Sequence, residues 1–442
     1  MIRKSRILSL ANSEITLVET SRLRTTIQLD ILGAGPACAD DPLKAIIAAA
    51  VVRRSVDKSG LIDDGATADL VDRVAEPDVT IVASGPSSSS GRWFSELEGS
   101  ILTPTIGQSE FDTIRRNVVT SVARAPTRPL RYGSLLADTA YTPVDVSTLI
   151  RTVRNSASAD SRVSILKWIR QHYRVPSFRM AVSAPSNSSI IRQVVGIVQS
   201  FDHTPQVVVE SRCELHDQSR RVLPSHFHLT ANTPQDAIFI AGSPLLMNRR
   251  ESPLLMVANR LLGSGPESRL RRTVRDQRGL SYDVRSTIDL QASGIPWVIT
   301  ASSSRKDFLA LVGEIASQVQ QLGKQGPTSQ ELSWAKESLL NERAMNSENP
   351  SHELYGLLSG IPQDETLRIT LETITCSDIA NVVSEAFLSH CGRIVVVGSE
   401  IDFKLIDKLL GPICSGNEGN VEWIGLGELT NGRFDSERRR QD

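Results

Sequence analysis

The period of the apolar positions changes several times along the chain, and each change marks an element. Thr25–Ile31 (TTIQLDI) alternates polar and apolar residues, as a strand does. In Ser109–Val122 the apolar residues Phe111, Ile114, Val118 and Val122 fall at helical spacing. Gln330–Leu340 (QELSWAKESLL) reads as another helix, and Thr328 to Glu331 has capping-box spacing at its start. The richest segment is Ser252–Leu290. Leu254, Val257, Ala258, Leu261 and Leu262 form one helix stripe, which Gly263, Gly265 and Pro266 break. A short helix over about Glu267–Arg278 presents Leu270 and Val274, and Gly279 stands where a left-handed C-cap is needed. From Leu280 the period becomes two. Leu280, Tyr282, Val284, Ser286, Ile288 and Leu290 are predicted on one face, with Ser281, Asp283, Arg285, Thr287 and Asp289 on the other.

Two plans recur. Glu110-Phe111 and Glu331-Leu332 stand 221 residues apart in similar helices. Val163–Pro185 and Asp378–Ser399 both read as helix, turn and buried strand, and at an offset of 214 Ile165, Trp168, Ile169 and Tyr173 match Ile379, Val382, Val383 and Phe387. Arg179 and Arg393 then open the two strands. Correspondences in the same order at nearly half the chain length imply duplicated domains rather than a solenoid. The expected fold class is α+β: two similar domains, each a mainly antiparallel sheet with helices packed on one face. The expected divisions are 1–212, a polar linker at 213–223, a second domain at 224–430 and a disordered tail at 431–442. Gly85–Gly91 (GPSSSSG) reads as a flexible loop between two strand-like runs.

Composition narrows the function classes. Of 442 residues 40% are hydrophobic and 22% charged, with a formal net charge of -1, which gives no sign of a nucleic-acid or membrane-surface partner. No stretch reaches the ~18–20 apolar residues of a membrane span. The first apolar run is broken by Asn12, Ser13 and Glu14, which argues against a signal peptide. Five scattered cysteines (Cys38, Cys213, Cys376, Cys391, Cys414) contain no C-x-x-C, so a reduced, cytoplasmic setting is expected. Gly33-x-Gly35 lacks the third glycine of a dinucleotide fingerprint, and no Walker loop or G-x-S-x-G elbow occurs. His226-x-His228 is the one close histidine pair; with no carboxylate or cysteine nearby it reads as a surface strand edge, not a metal site.

Within Ser252–Leu290 lies the pattern N-x-L-x-G-x-G-x-x-S-R-L followed by V-R-x-x-R-G-L-x-Y: Asn259, Leu261, Gly263, Gly265, Ser268, Arg269, Leu270, then Val274, Arg275, Arg278, Gly279, Leu280, Tyr282. This resembles the second domain of the pitrilysin, insulysin and mitochondrial-processing-peptidase family of zinc peptidases. The resemblance implies that Arg275 and Tyr282 reach substrate: an arginine offers fixed donors to a peptide carbonyl or carboxylate, and a phenol hydrogen-bonds a scissile-region carbonyl or oxyanion.

An active member also needs H-x-x-E-H, where two histidines bind zinc and the glutamate is general base, plus a further glutamate ligand. Here the first histidine is His172, and no H-x-x-E-H occurs in either orientation. By the family's order of elements the zinc helix is Leu43–Val56, with Ala45, Ala48 and Ala49 at the histidine, glutamate and histidine positions. The third-ligand helix is Ser109–Val122, where Thr120 or Ser121 replaces glutamate, and no glutamate occurs between Glu110 and Glu210. The implied protein is a non-catalytic subunit with no metal or cofactor of its own. It pairs as a heterodimer with a homologous zinc-bearing subunit and binds a peptide substrate, for instance a leader peptide removed in natural-product maturation. The alternative is a peptide-binding or scaffold pseudopeptidase with no proteolytic role.

Overall fold

The computed structural model of the chain describes residues 5–10, 13–20, 23–32, 34–36, 41–61, 63, 65–71, 78–124, 128–138, 161–173, 178–185, 190, 192–194, 225–243, 252–290, 296–346, 349–359, 361, 364–389, 391–399, 401–413 and 423–425. The expected linker and tail lie outside these residues.

Two six-stranded sheets are built to one plan. The strands of the first are β1 (Ser5–Leu10), β2 (Ser13–Glu19), β3 (Arg24–Ile31), β4 (Thr67–Val71), β5 (Val79–Pro86) and β6 (Phe178–Ala184), in the order β1-β2-β6-β3-β5-β4. Those of the second are β7 (Ser225–Thr230), β8 (Asp236–Gly242), β9 (Val284–Ile288), β10 (Trp297–Ser303), β11 (Cys391–Gly398) and β12 (Trp423–Gly425), in the order β12-β7-β11-β8-β10-β9. The run β2-β6-β3-β5-β4 thus repeats as β7-β11-β8-β10-β9, with one parallel pair followed by three antiparallel pairs each time. Even the register repeats: Arg179 pairs with Glu14 and Asp30, and Arg393 with Ser225 and Ala241. The fold is the duplicated α+β architecture expected.

The helices are α1 (Pro42–Asp57), α2 (Ser90–Leu102), α3 (Gln108–Ala123), α4 (Pro129–Asp138), α5 (Arg162–His172), α6 (Ser252–Asn259), α7 (Arg271–Gln277), α8 (Phe308–Gln325), α9 (Ser329–Asn346), α10 (Pro350–Leu358), α11 (Asp364–Thr373), α12 (Cys376–Val383) and α13 (Phe403–Leu410). Asp41 caps α1, its carboxylate accepting from the N–H groups of Leu43 and Lys44.

The two compact units each draw on both halves of the sequence. One comprises Met1–Ala123, Val153–Gln218 and Asn346–Leu358; the other comprises Arg124–Thr152, Ser219–Met345 and Ser359–Asp442. The exchanged pieces carry α10 and α4. Leu354 and Leu358 of α10 are buried against Val18 of β2 and Ala181 of β6. Burying such leucines contributes roughly 1.5–3 kcal/mol each. In the other unit Tyr132 and Leu136 of α4 are buried, Gly133 lies against Phe239 and Val397, and Arg393 Nη1 donates to the Leu136 carbonyl at 2.8 Å.

This exchange corrects the expectation of helices on one face only. By strand parity Ala181 shares a face with Thr26, Gln28 and Asp30, opposite the face of Ile27, Ile31 and Met180 that receives α2. The alternation in Thr25–Ile31 is therefore real, yet its polar side is buried too. Asp30 is 2% exposed, accepts from Thr80 at 2.9 Å and Gln28 at 3.4 Å, and pairs with Arg179 at 3.4 Å. Burial raises the Asp30 pKa, and the Arg179 charge opposes the rise.

Gly85–Gly91 is not a loop between strands. It ends β5, makes a 3₁₀ turn at Ser87–Ser89 and enters α2. Two bonds hold the junction: Trp93 Nε1 donates to the Pro86 carbonyl at 3.1 Å, and Ser90 Oγ to the Ser87 carbonyl at 2.9 Å.

Candidate functional site

The site in the second unit is built on two helical turns of unusual pitch. After Asn259, helix α6 widens into a π-type turn over Arg260–Ser264, and α7 is itself π-type. Such widened turns recur at functional sites. The first brings backbone against β9: a Cβ on Gly263 would stand 2.7 Å from the Ser286 nitrogen and Cβ, so this position excludes any side chain. At the end of α7, Gly279 takes the expected left-handed conformation with φ 61°.

A bidentate ion pair anchors α7. Arg269 donates to Glu331 at 3.0 and 2.8 Å and to the Gly326 carbonyl at 3.1 Å. Glu331 also accepts from the Thr328 N–H at 2.8 Å, while its own N–H donates to Thr328 Oγ1 at 3.2 Å; the predicted capping box is formed. Burial tends to raise the Glu331 pKa, but the bonds from Arg269 and Thr328 and the Arg269 charge hold it at about 2. Glu110, its counterpart in the first unit, likewise accepts from Arg54 at 2.7 Å and from Lys58, and these bonds lower its pKa. Within the sequence pattern, then, Arg269 serves the scaffold.

Arg275 and Tyr282 are brought together. The Arg275 guanidinium lies over the Tyr282 ring, 4.1 Å from its centroid, and Arg275 Nε stands 3.8 Å from Asp276. Tyr282 is 80% exposed. That corrects the expectation that it shares the buried face of Val284. Leu280 N–H donates back to the Val274 carbonyl at 2.8 Å, and the buried Ser281 donates its hydroxyl to the Ser302 carbonyl at 2.6 Å. These two bonds turn Ser281 inward and Tyr282 outward. Strand pairing begins only at Val284, so the two-residue period starts there.

The pair borders a cleft of about 570 Å³ lined by the 263–266 turn, Arg271, Arg275, Tyr282, Asp283, Val284 and Arg285. Sequence reasoning passed over Arg271 and Arg285. The signal was present: Arg271 lies four residues before Arg275 on one helix, and Arg285 lies three after Tyr282.

Ala45, Ala48 and Ala49 lie on α1 with 0% exposure each, and α3 packs against α1. Thr120 and Ser121 are exposed on α3. Three methyl groups supply no donor atom, so these residues do not fit a zinc ion. Among the described residues no group of three or more His, Cys, Asp or Glu is placed to hold a metal. His226 and His228 are not on a surface edge. β7 lies between β11 and β12, and the two rings pack edge-on against Trp423 and Phe403 at 5.1 and 4.8 Å. No helix among the described residues is long and apolar enough to cross a membrane.

Residues 161–339 match the family model described as the peptidase M16 inactive domain. No curated protein matches the chain in sequence. Solved structures similar to it include a peptidase M16 inactive domain from Pseudomonas fluorescens, at 17% identity, TM-score 0.70, and coverage of 90% of this chain and 98% of that one. A protease from Helicobacter pylori is similar at 15% identity and TM-score 0.70, covering 90% of this chain and all of that one. The periplasmic protease PqqL from Escherichia coli is similar at 14% identity and TM-score 0.64, over 90% of this chain but 46% of its own. At these identities the structures establish the fold, and the matched segment carries the sequence pattern that surrounds Arg275 and Tyr282. Residues 161–339 thus match the M16 inactive-domain model, the fold is that of M16 structures, and no H-x-x-E-H occurs in the sequence.

Proposed function

We propose that this chain is the substrate-binding subunit of a heterodimeric zinc metallopeptidase, lending Arg275 and Tyr282 to an active site whose zinc is held by a homologous partner subunit. The observation that carries the reading is the contrast between two places in one chain. Arg275 and the exposed Tyr282 are held together at an open cleft, while the helix read as the zinc helix offers only the buried Ala45, Ala48 and Ala49 at its expected ligand positions. A guanidinium and a phenol so placed suit a peptide carbonyl and the oxyanion formed when it is attacked. They supply neither the nucleophile nor the metal, so a second chain is required. The proposed substrate is an unfolded peptide, with leader-peptide removal as the specific form, and the proposed compartment is the cytoplasm.

The test is zinc content and peptide cleavage for this chain alone, for an H-x-x-E-H partner alone, and for the two together. Cleavage by the pair only, with zinc in the partner, is the expected result. Stoichiometric zinc and turnover by this chain alone would overturn the reading.

A further inference from the structure

The cleft beside Tyr282 is unevenly charged. Three guanidinium groups line it, those of Arg271, Arg275 and Arg285, against the single carboxylate of Asp283. Arg275 is engaged by the Tyr282 ring and by Asp276. Arg271 and Arg285 make no hydrogen bond or ion pair among the described residues, although Arg269, Arg272 and Arg278 of the same segment are each tied to a glutamate. Two arginines left unpaired in a cleft form a site for anions, since a guanidinium holds a carboxylate through two parallel bonds.

A second observation bears on the shape of the ligand. β9, which carries Arg285, is the outermost strand of its sheet and pairs only with β10 among the described residues. An open strand edge offers backbone donors and acceptors to an extended chain. On such an added strand, residues two apart face the same way about 7 Å from each other.

We infer that the cleft selects acidic peptide segments, bound extended beside β9 with their carboxylates on Arg271 and Arg285. This rests on the reading of Arg275 and Tyr282 as a substrate-contacting pair, and it names the substrate class: peptides with acidic residues at alternate positions. The shared chemistry is a carboxylate, which side chains or a chain terminus can supply; two unpaired guanidinium groups in one cleft favour side chains, since a terminus supplies a single carboxylate.

The experiment is fluorescence anisotropy on the full chain with three labelled peptides. One carries glutamate at alternate positions and an amidated terminus, one replaces each glutamate by glutamine, and one is the glutamine peptide with a free terminal carboxylate. The glutamate peptide is expected to bind about tenfold tighter than its amidated glutamine counterpart, the size of one charge-assisted contact. The Arg271→Gln, Arg285→Gln double variant is expected to lose that preference while keeping the binding of the neutral peptide. The Arg271→Glu, Arg285→Glu variant is expected to reverse the preference, binding the amidated glutamine peptide more tightly than the glutamate peptide. Equal binding of the acidic and neutral amidated peptides would overturn the inference. So would a preference that survives the double variant, or tight binding by the free-terminus peptide alone. If all peptides bind equally and Arg275→Ala weakens all of them, this inference fails while the proposed function stands. If none binds, both fail.

Discussion

The guanidinium of Arg275 rests on the ring of Tyr282, though six residues, a left-handed glycine among them, separate the two in the chain. The contact fixes both polar ends at the rim of one cleft. At so exposed a position a cation–π contact contributes about 0.5–1 kcal/mol. Arg275→Ala and Tyr282→Phe should therefore leave thermal unfolding almost unmoved. With the zinc-bearing partner present, each should lower peptide turnover by about a hundredfold, the usual effect of removing a transition-state donor. Unchanged turnover in the double variant would favour the scaffold alternative.

Glu331 should make stability depend on pH. Its pKa in the folded chain is about 2, below the ordinary 4.5. A depressed carboxylate stabilises the fold above its unfolded pKa, and that stability is lost as pH falls toward the folded value. Glu331→Gln should cost roughly 2 kcal/mol near neutral pH after allowance for solvent screening. Denaturant unfolding of the two proteins should converge between about pH 4.5 and 2, and a gap that stays constant across that window would refute the assignment.

Gly263→Ala places a methyl group 2.7 Å from the Ser286 backbone. Either the π-type turn lifts from β9 or the strand shifts. A loss of about 1–3 kcal/mol is expected, as for other overpacked sites. Because this turn also lines the cleft, peptide affinity measured by anisotropy should fall with it.

Rebuilding the metal motif should fail. Ala45→His, Ala48→Glu and Ala49→His put three large polar groups at positions with no exposure. Overpacking and buried charge together should cost about 3 kcal/mol or more. Circular dichroism should report a loosened or unfolded chain without stoichiometric zinc; a stable variant binding one zinc would show that α1 retains a latent site.

Local signals in the sequence were read well because local chemistry fixed them. Gly279 needed a left-handed φ, Thr328 and Glu331 had capping-box spacing, and Arg179 and Arg393 marked one register in two sheets. What was missed depended on partners distant in the chain. The Tyr282 side chain departs from the two-residue period because Ser281 bonds to Ser302, on another strand. The polar face of β3 is buried because α10 arrives from more than 300 residues away. The histidine pair looked like a surface feature until Trp423 and Phe403 packed on it. The π-type turns left no periodic trace, since one extra residue in a short helix is too small a shift to read.

The traded helices bear on how such a chain came about. Pro129 of α4 and Pro350 of α10 stand 221 residues apart, the same interval as Glu110 and Glu331. Each half therefore hands over the same helix and receives its counterpart. A single-domain ancestor with this habit would have been a domain-swapped homodimer, each protomer completing the other's sheet. In this single chain the exchange runs between two covalently joined halves, so it cannot be undone by dissociation. Neither could depart alone, because each still depends on the other for one helix. A chain without metal ligands thus still needs both halves for its core, because each unit is completed by a helix from the other half of the sequence.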